Sequence, residues 1–172
     1  MSDIKSEIVQ VQDSRRTFID TLLDLGKNDD KIVLIVPDVG FNYVELIAEK
    51  LPGRYFNFGV TEYSSMVIAA AMAIDGMKPY IYSMIPFVTF RVHEMIRNAV
   101  CLHNANVKIV GVLGGPSYHM LGPSHNLLRT DEDIELMCRL PGMQCYTPRG
   151  NEEIRQAVLA SYATPAPSYI RL

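Results

Sequence analysis

The chain has 172 residues, of which 48% are hydrophobic and 20% are charged, a composition typical of a soluble domain with one core. A net charge of −3 gives no basic footprint for nucleic acid, and no apolar run approaches the ~20 residues of a membrane span. Cys101, Cys138 and Cys145 lack paired or metal-ligand spacing, so we expect buried thiols, a cytoplasmic protein and no metal site in this chain.

Short apolar runs alternate with helical patterns along the chain. In chain order we predict a helix over 15–25 closed by Gly26, a strand over 31–36, a helix over 43–51, a strand over 55–57, a helix over 62–74 and a strand over 79–83. A long helix over 87–104, a strand over 108–113, a helix over 131–140, a strand over 143–146, a helix over 151–162 and a strand over 168–172 follow. This alternation predicts an α/β fold with a doubly wound, mostly parallel sheet and helices on both faces.

Loops that follow parallel strands meet at one edge of the sheet, because the crossovers are right-handed. These loops carry Asp38, Glu62, the segment 84–87 and the long loop 114–128. A ligand site at this edge is the expectation for the architecture, and we include Asp38 as a candidate cofactor contact.

Glu62 begins a helix of small apolar residues. An acid in the first turn of a helix interacts favourably with the helix dipole, by ~0.3–1 kcal/mol, and needs no further function. The helix is apolar enough to be buried, however, and a buried carboxyl group needs a hydrogen-bonding partner. Such a carboxyl group can share a proton with a ring nitrogen. From the residues alone both interpretations stay open.

Aromatic, imidazole and guanidinium groups flank the following strand ends. Phe87 and Phe90 can stack on a flat heterocycle or pack in the core. His125 lies beside Gly and Pro in the long loop, which favours hydrogen bonding or acid–base work, and His119 is a weaker candidate in the same loop. Arg91 can bind an anionic group or cover apolar surface with its stem.

Three sequence motifs follow one another along the chain. They are RYFNFGVTE at 54–62, SMIPFVTFR at 83–91 and LGPSH at 121–125, followed by a Pro-Gly-Met to Thr-Pro strand at 141–148. Together they resemble the pyrimidine-binding domain of transketolase-like, thiamine-diphosphate-dependent enzymes, over about residues 15–172. The acid that ends the first motif is similar to the family's cofactor-activating glutamate.

The resemblance implies a role for each candidate. Glu62 would share a proton with the ring nitrogen N1′ of thiamine diphosphate, and Phe87, Phe90 and Asp38 would contact the cofactor. His125 would act in catalysis and, with His119 and Arg91, would bind the substrate. The implied chemistry acts on a ketose or a 2-oxo acid, with the cofactor as electron sink.

Two departures from the family pattern shape the expected function. No Gly-Asp-Gly motif for the diphosphate and its metal is present, so we expect residues 1–172 to form a single pyrimidine-binding domain without the diphosphate-binding domain or the C-terminal third domain. A partner subunit would hold the cofactor's Mg or Ca in an α2β2 heterotetramer. Leu121 stands where relatives carry an acid that contacts the ketose donor. A split ketol transferase, a split 2-oxo acid decarboxylase or synthase, and a non-catalytic paralogue are the three alternatives.

Overall fold

A six-stranded parallel sheet forms the centre of the protein, whose computed structural model describes residues 2–40 and 42–172, with side chains for 14–40, 42–116 and 118–172. The strands are β1 (Ile32–Val36), β2 (Tyr55–Asn57), β3 (Lys78–Met84), β4 (Lys108–Val112), β5 (Gln144–Tyr146) and β6 (Ser168–Arg171). Their order is β2-β1-β3-β4-β6-β5, and every neighbouring pair is parallel. The predicted α/β fold is confirmed.

Helices lie on both faces of the sheet. They are α1 (Ser2–Gly26), α2 (Glu45–Lys50), α3 (Glu62–Ile74), α4 (Ile85–Val88), α5 (His93–Met95), α6 (Glu132–Met137) and α7 (Asn151–Ala163). Gly26 does end α1, but a side chain at this position would collide with Leu51, so close packing also explains the glycine. Across the described ranges, no helix is long and apolar enough to cross a membrane.

Two apolar clusters pack against the two faces of the sheet. Successive side chains of a strand point to opposite faces, so Leu34 joins the cluster formed with α1, α2 and α7. Ile35 joins the other cluster, formed with α3, α6 and the segment that follows α4. This arrangement leaves the loops after β1, β3 and β4 free to form a site at the carboxyl edge.

The segment predicted as one helix over 87–104 is broken into several turns. α4 gives way to a 3-10 turn (Phe90–Val92), then to α5 and to a π-helical turn (Ile96–Cys101). At the break, the buried hydroxyl of Thr89 donates a hydrogen bond to the carbonyl oxygen of Ile85 at 2.7 Å, a local side-chain bond of the kind that bends helices. The apolar spacing nevertheless identified part of the core face, because Val88, Val92 and Ile96 are buried, whereas Leu102 is 75% exposed.

The cysteines differ from the prediction. Cys138 and Cys145 form a disulfide between the end of α6 and β5, with their Cα atoms 5.9 Å apart, whereas Cys101 is a buried free thiol. The expectation of buried thiols is therefore wrong for Cys138 and Cys145. The turn over 140–143 reverses the chain and brings Cys138 and Cys145 close together. An odd number of cysteines does not indicate such a pair.

Candidate functional site

A cleft of about 860 Å³ lies beyond the carboxyl ends of β1, β3 and β4. Its described lining includes polar and aromatic side chains from five separate parts of the chain: Arg15, Asp38, Glu62, Phe87, Arg91 and His125. This is the edge of the sheet at which the sequence predicts a ligand site, and five of the seven predicted site residues line it.

Glu62 is placed by a tight turn between β2 and α3. The Asn57 side chain accepts a hydrogen bond from the Gly59 backbone N–H at 2.9 Å, and Gly59 has φ of 72°, a left-handed conformation that favours glycine. The Thr61 hydroxyl then donates to the Phe58 carbonyl oxygen at 2.9 Å. Glu62 follows as the first residue of α3 and is buried, so its carboxylate enters the cleft at a helix N-terminus.

The Glu62 carboxylate is paired with a guanidinium from the next crossover. Arg91 Nη1 donates to Glu62 Oε1 at 2.6 Å, and the Glu62 side chain is 7% exposed against 46% for Arg91. The same guanidinium lies over the ring of Phe87, 4.3 Å from its centroid. Glu62, Arg91 and Phe87 therefore form one continuous contact along the wall of the cleft.

His125 joins this group through Phe87. The two ring centroids are 4.9 Å apart and the rings meet edge to face, an arrangement that aromatic groups favour. Ser124 Oγ and His125 Nδ1 are hydrogen-bonded at 2.8 Å, and the Tyr118 ring stacks at 6.4 Å. No described residue hydrogen-bonds to Nε2, so this is the nitrogen that can contact a substrate.

The remaining predicted residues are less central. Asp38 lines the cleft, is exposed and has φ of 55°, with the Asn57 amide 3.5 Å from its carboxylate. Phe90 and His119 are not among the described residues that line the cleft. Phe90 is partly exposed beyond the Thr89 break, whereas His119 is exposed at an adjoining cavity of about 700 Å³ that His125 also lines.

Arg15 is a lining residue that the sequence did not indicate. It projects from α1, and one guanidinium nitrogen donates to the Leu113 carbonyl oxygen at 3.3 Å. Its Nε is buried and finds no hydrogen-bond partner among the described atoms. An unpaired buried donor at the cleft can serve an anionic ligand, but no motif surrounds Arg15, and only the packing of α1 brings it here.

The site holds acids and an imidazole without a metal-binding arrangement. Within the ranges that the structure describes, no group of three or more His, Cys, Asp or Glu residues could hold a metal ion. Tyr82 also lines the cleft, and burial raises its pKa well above that of a free phenol, which keeps its hydroxyl neutral.

The fold and motifs match a known protein family. The family model for the transketolase pyrimidine-binding domain matches residues 10–172. The chain belongs to the transketolase pyrimidine-binding domain family. Thiamine diphosphate is the cofactor that this family implies.

Similar proteins include components of split transketolases. The chain is 32% identical to the 6-deoxy-6-sulfo-D-fructose transketolase subunit SqwH of Clostridium sp. strain MSTE9, over 92% of the chain and 48% of that protein. It is 31% identical to an apulose-4-phosphate transketolase subunit of Phocaeicola vulgatus, over 92% of the chain and 50% of that protein. A solved structure described as a split-gene transketolase in an inactive β4 tetramer superimposes with a TM-score of 0.80 at 32% identity, over 92% of the chain and 50% of that protein.

The chain spans about half the length of these relatives. The matched half carries the pyrimidine-binding fold. Whole-enzyme activity, substrates and partners therefore have to be argued from the site.

Proposed function

We propose that the chain is the pyrimidine-binding subunit of a split, thiamine-diphosphate-dependent enzyme that transfers a two-carbon ketol unit. The observation that carries the proposal is the buried Glu62 carboxylate, which shares one cleft with Phe87 and His125. These three residues come from the segments that follow β2, β3 and β4, and each has the chemistry that the resemblance requires.

The cleft is suited to the aminopyrimidine half of thiamine diphosphate. Glu62 already accepts a hydrogen bond from a flat, nitrogen-rich group, and that group lies against the Phe87 ring. A carboxyl group beside an aromatic face can share a proton with the ring nitrogen of an aminopyrimidine while the ring stacks on that face. The fit rests on these contacts in the chain itself, and Phe90 contributes only if it moves from its present place outside the cleft.

Each residue then has a distinct task in the mechanism. Glu62 holds and returns a proton at the N1′ ring nitrogen, and its burial keeps water from competing for that proton. His125, with Nδ1 held by Ser124, presents Nε2 to the substrate oxygens. When bound, thiamine diphosphate supplies the electron sink for breaking a carbon–carbon bond next to a carbonyl group.

A partner subunit completes the site in this proposal. The described residues offer no metal-binding group, and diphosphate is held in this cofactor class through a divalent metal. We infer that a diphosphate-binding subunit holds Mg or Ca and that the two subunits assemble as an α2β2 heterotetramer. The matched relatives are themselves called subunits, which supports a partner.

The surface for that partner is the outer side of α3. No charged residue occurs between Tyr63 and Ile74, and a helix that is apolar on all sides is normally buried. Yet Tyr63, Val67, Ile68 and Ile74 are exposed, and neighbouring Val60 is exposed at the rim of the cleft. A subunit that covers this face would also close the cleft over the cofactor.

Substrate choice lies between two donor classes. The names of the matched relatives refer to sugar substrates, which favours a ketose donor and an aldose acceptor, with Arg91 and His119 as candidate contacts for anionic substrate groups. Leu121 is an apolar, exposed residue at the position where an acid contacts the ketose in relatives, and this favours the second candidate, a 2-oxo acid decarboxylase or synthase.

A cytoplasmic location is a further part of the proposal. It is supported by the substrate classes, because charged sugar phosphates and 2-oxo acids do not cross a lipid bilayer unaided. The argument from free thiols no longer contributes, since two of the three cysteines are joined.

Reconstitution with the diphosphate-binding subunit encoded nearest to this chain tests the proposal. The pair is given thiamine diphosphate, Mg²⁺, an aldose acceptor and either a ketose phosphate or pyruvate. We expect ketol transfer from the ketose, dependent on both chains and on the cofactor. Omission of each chain in turn is the control. Turnover of pyruvate alone would favour the second candidate, and no turnover by a pair that assembles and binds the cofactor would contradict catalysis.

A further inference from the structure

Arg91 makes the two contacts that the proposed function assigns to the cofactor ring. Its guanidinium donates to Glu62 Oε1 at 2.6 Å and covers the Phe87 ring at 4.3 Å from the centroid. A guanidinium and an aminopyrimidine are both flat, carry N–H groups and can stack on an aromatic ring. One group cannot occupy this position while the other is bound.

The position of Arg91 follows from the break after α4. Phe87 lies in α4 and Arg91 in the 3-10 turn after the break, and the Arg91 guanidinium lies 4.3 Å from the centroid of the Phe87 ring. Thr89, between them, is buried and hydrogen-bonded to Ile85, which fixes the backbone where the regular helix stops. Both long side chains therefore reach the cleft from one rigid segment.

The exposure of the pair makes Arg91 the partner that can leave. Glu62 is held by the turn before α3 and is nearly inaccessible, whereas almost half of the Arg91 side chain is in solvent. A carboxylate that is buried without a partner is costly, so Glu62 needs a replacement donor before Arg91 departs. An aminopyrimidine that is protonated at its ring nitrogen N1′ is such a donor.

We propose that Arg91 occupies the aminopyrimidine position in the isolated chain and must be displaced by the cofactor ring. The inference rests on the proposed function and adds a regulatory step to it. Until the ring arrives, Arg91 neutralises Glu62 and covers Phe87. Once displaced, the guanidinium is free for an anionic group of the substrate, which is the role that the sequence predicts for Arg91.

Binding of an isolated ring to the isolated chain tests the inference. The probe is 4-amino-5-hydroxymethyl-2-methylpyrimidine, which lacks the thiazolium and the diphosphate, titrated by NMR. Arg91→Met removes the competitor and should tighten binding roughly tenfold, the effect of losing one ion pair and one cation–π contact. Arg97→Met, at an exposed arginine whose side chain hydrogen-bonds only to Asn98 among the described residues, should match the unmodified chain.

The inference is overturned if a folded Arg91→Met chain binds the probe no more tightly than the unmodified chain does. It is also overturned if neither chain binds the probe. If the variant does not fold, the guanidinium NMR signals of Arg91 in the unmodified chain decide. They should shift on saturation with the probe, and unchanged signals in the presence of bound probe overturn the inference. The proposed function fails by a different result, namely full activity of the reconstituted pair carrying Glu62→Gln.

Discussion

Glu62 is a buried acid whose only hydrogen-bonding side chain among the described residues is a half-exposed arginine. Removing one partner of such a pair leaves the other charge without compensation, which is far more costly than losing a surface ion pair. The carboxylate is therefore poised to accept whichever donor enters the cleft. The proton exchange that we propose between Glu62 and the cofactor ring requires this property.

The sequence indicated which residues form the site but not which of them contact one another. The motif order brought Glu62, Phe87 and His125 together, and all three line the cleft. The Glu62–Arg91 bond joins residues 29 apart and depends on how two crossovers pack. Arg15 reaches the cleft only through the docking of α1, which leaves no local pattern in the sequence.

Lys108 is a buried residue at the opposite edge of the sheet, where β4 begins. Its Nζ donates to the carbonyl oxygens of Thr164 and Ala166, each at 2.8 Å. Burial, with a smaller contribution from the charge of Lys78, lowers the pKa of Lys108 to about 7. The unfolded chain keeps an ordinary lysine pKa, so between the two values only the unfolded state binds the proton.

The free energy of unfolding should therefore rise between pH 7 and 8.5, by about 1 kcal/mol per pH unit from this group. Below pH 7 both states are protonated and the Lys108 contribution no longer changes. Urea titrations at several pH values measure the slope. Lys108→Met should flatten it, and Lys50→Met, at an exposed pair with Glu49, should not. Equal slopes in all three chains would contradict the assignment.

At the scale of elements, regular patterns were predictable and interruptions were not. The six strands were found within about two residues of their predicted ends. The helix over 87–104 was expected to be continuous because its apolar spacing is helical throughout. The break at Thr89 depends on the hydrogen bond from its hydroxyl to the Ile85 carbonyl oxygen inside the core. Hydrophobic spacing does not indicate this bond.

Helix α3 provides a direct test of the assembly surface. Val67 on α3 and Leu159 on α7 are both apolar and each is 39% exposed in the single chain. Val67→Arg should prevent pairing with the diphosphate-binding subunit, because a buried charge without a partner would lie in the interface. Leu159→Arg should pair normally. Size-exclusion chromatography with light scattering measures both.

The thermal unfolding of the two isolated variants serves as the control for folding. Similar unfolding midpoints would show that any loss of pairing results from the altered surface and not from a less stable fold. Normal pairing by Val67→Arg, or equal loss of pairing in both variants, would contradict the assignment of this face to the partner.

At the scale of the molecule, the proposed function makes the chain one half of a cofactor site. The cleft brings together a buried acid, an aromatic face and an imidazole, whereas no group of three or more His, Cys, Asp or Glu among the described residues could hold a metal ion. The fold class was predictable because strand and helix periods alternate cleanly. The strand order was not predictable, because it depends on contacts between segments that are distant in the sequence. The Cys138–Cys145 disulfide was not predictable either, because it depends on a reversal of the chain between the two residues.

In the proposed function, Glu62 activates the cofactor ring across a subunit boundary. The most direct measurement is the rate at which the reconstituted pair exchanges the C2 proton of thiamine diphosphate for deuterium, followed by NMR after acid quenching. Glu62→Gln should slow this exchange by about 10²–10⁴-fold, the range of proton-transfer catalysis, while Glu49→Gln on the surface of α2 leaves it unchanged. Exchange at the unmodified rate in the Glu62→Gln pair, with cofactor bound, would contradict the account.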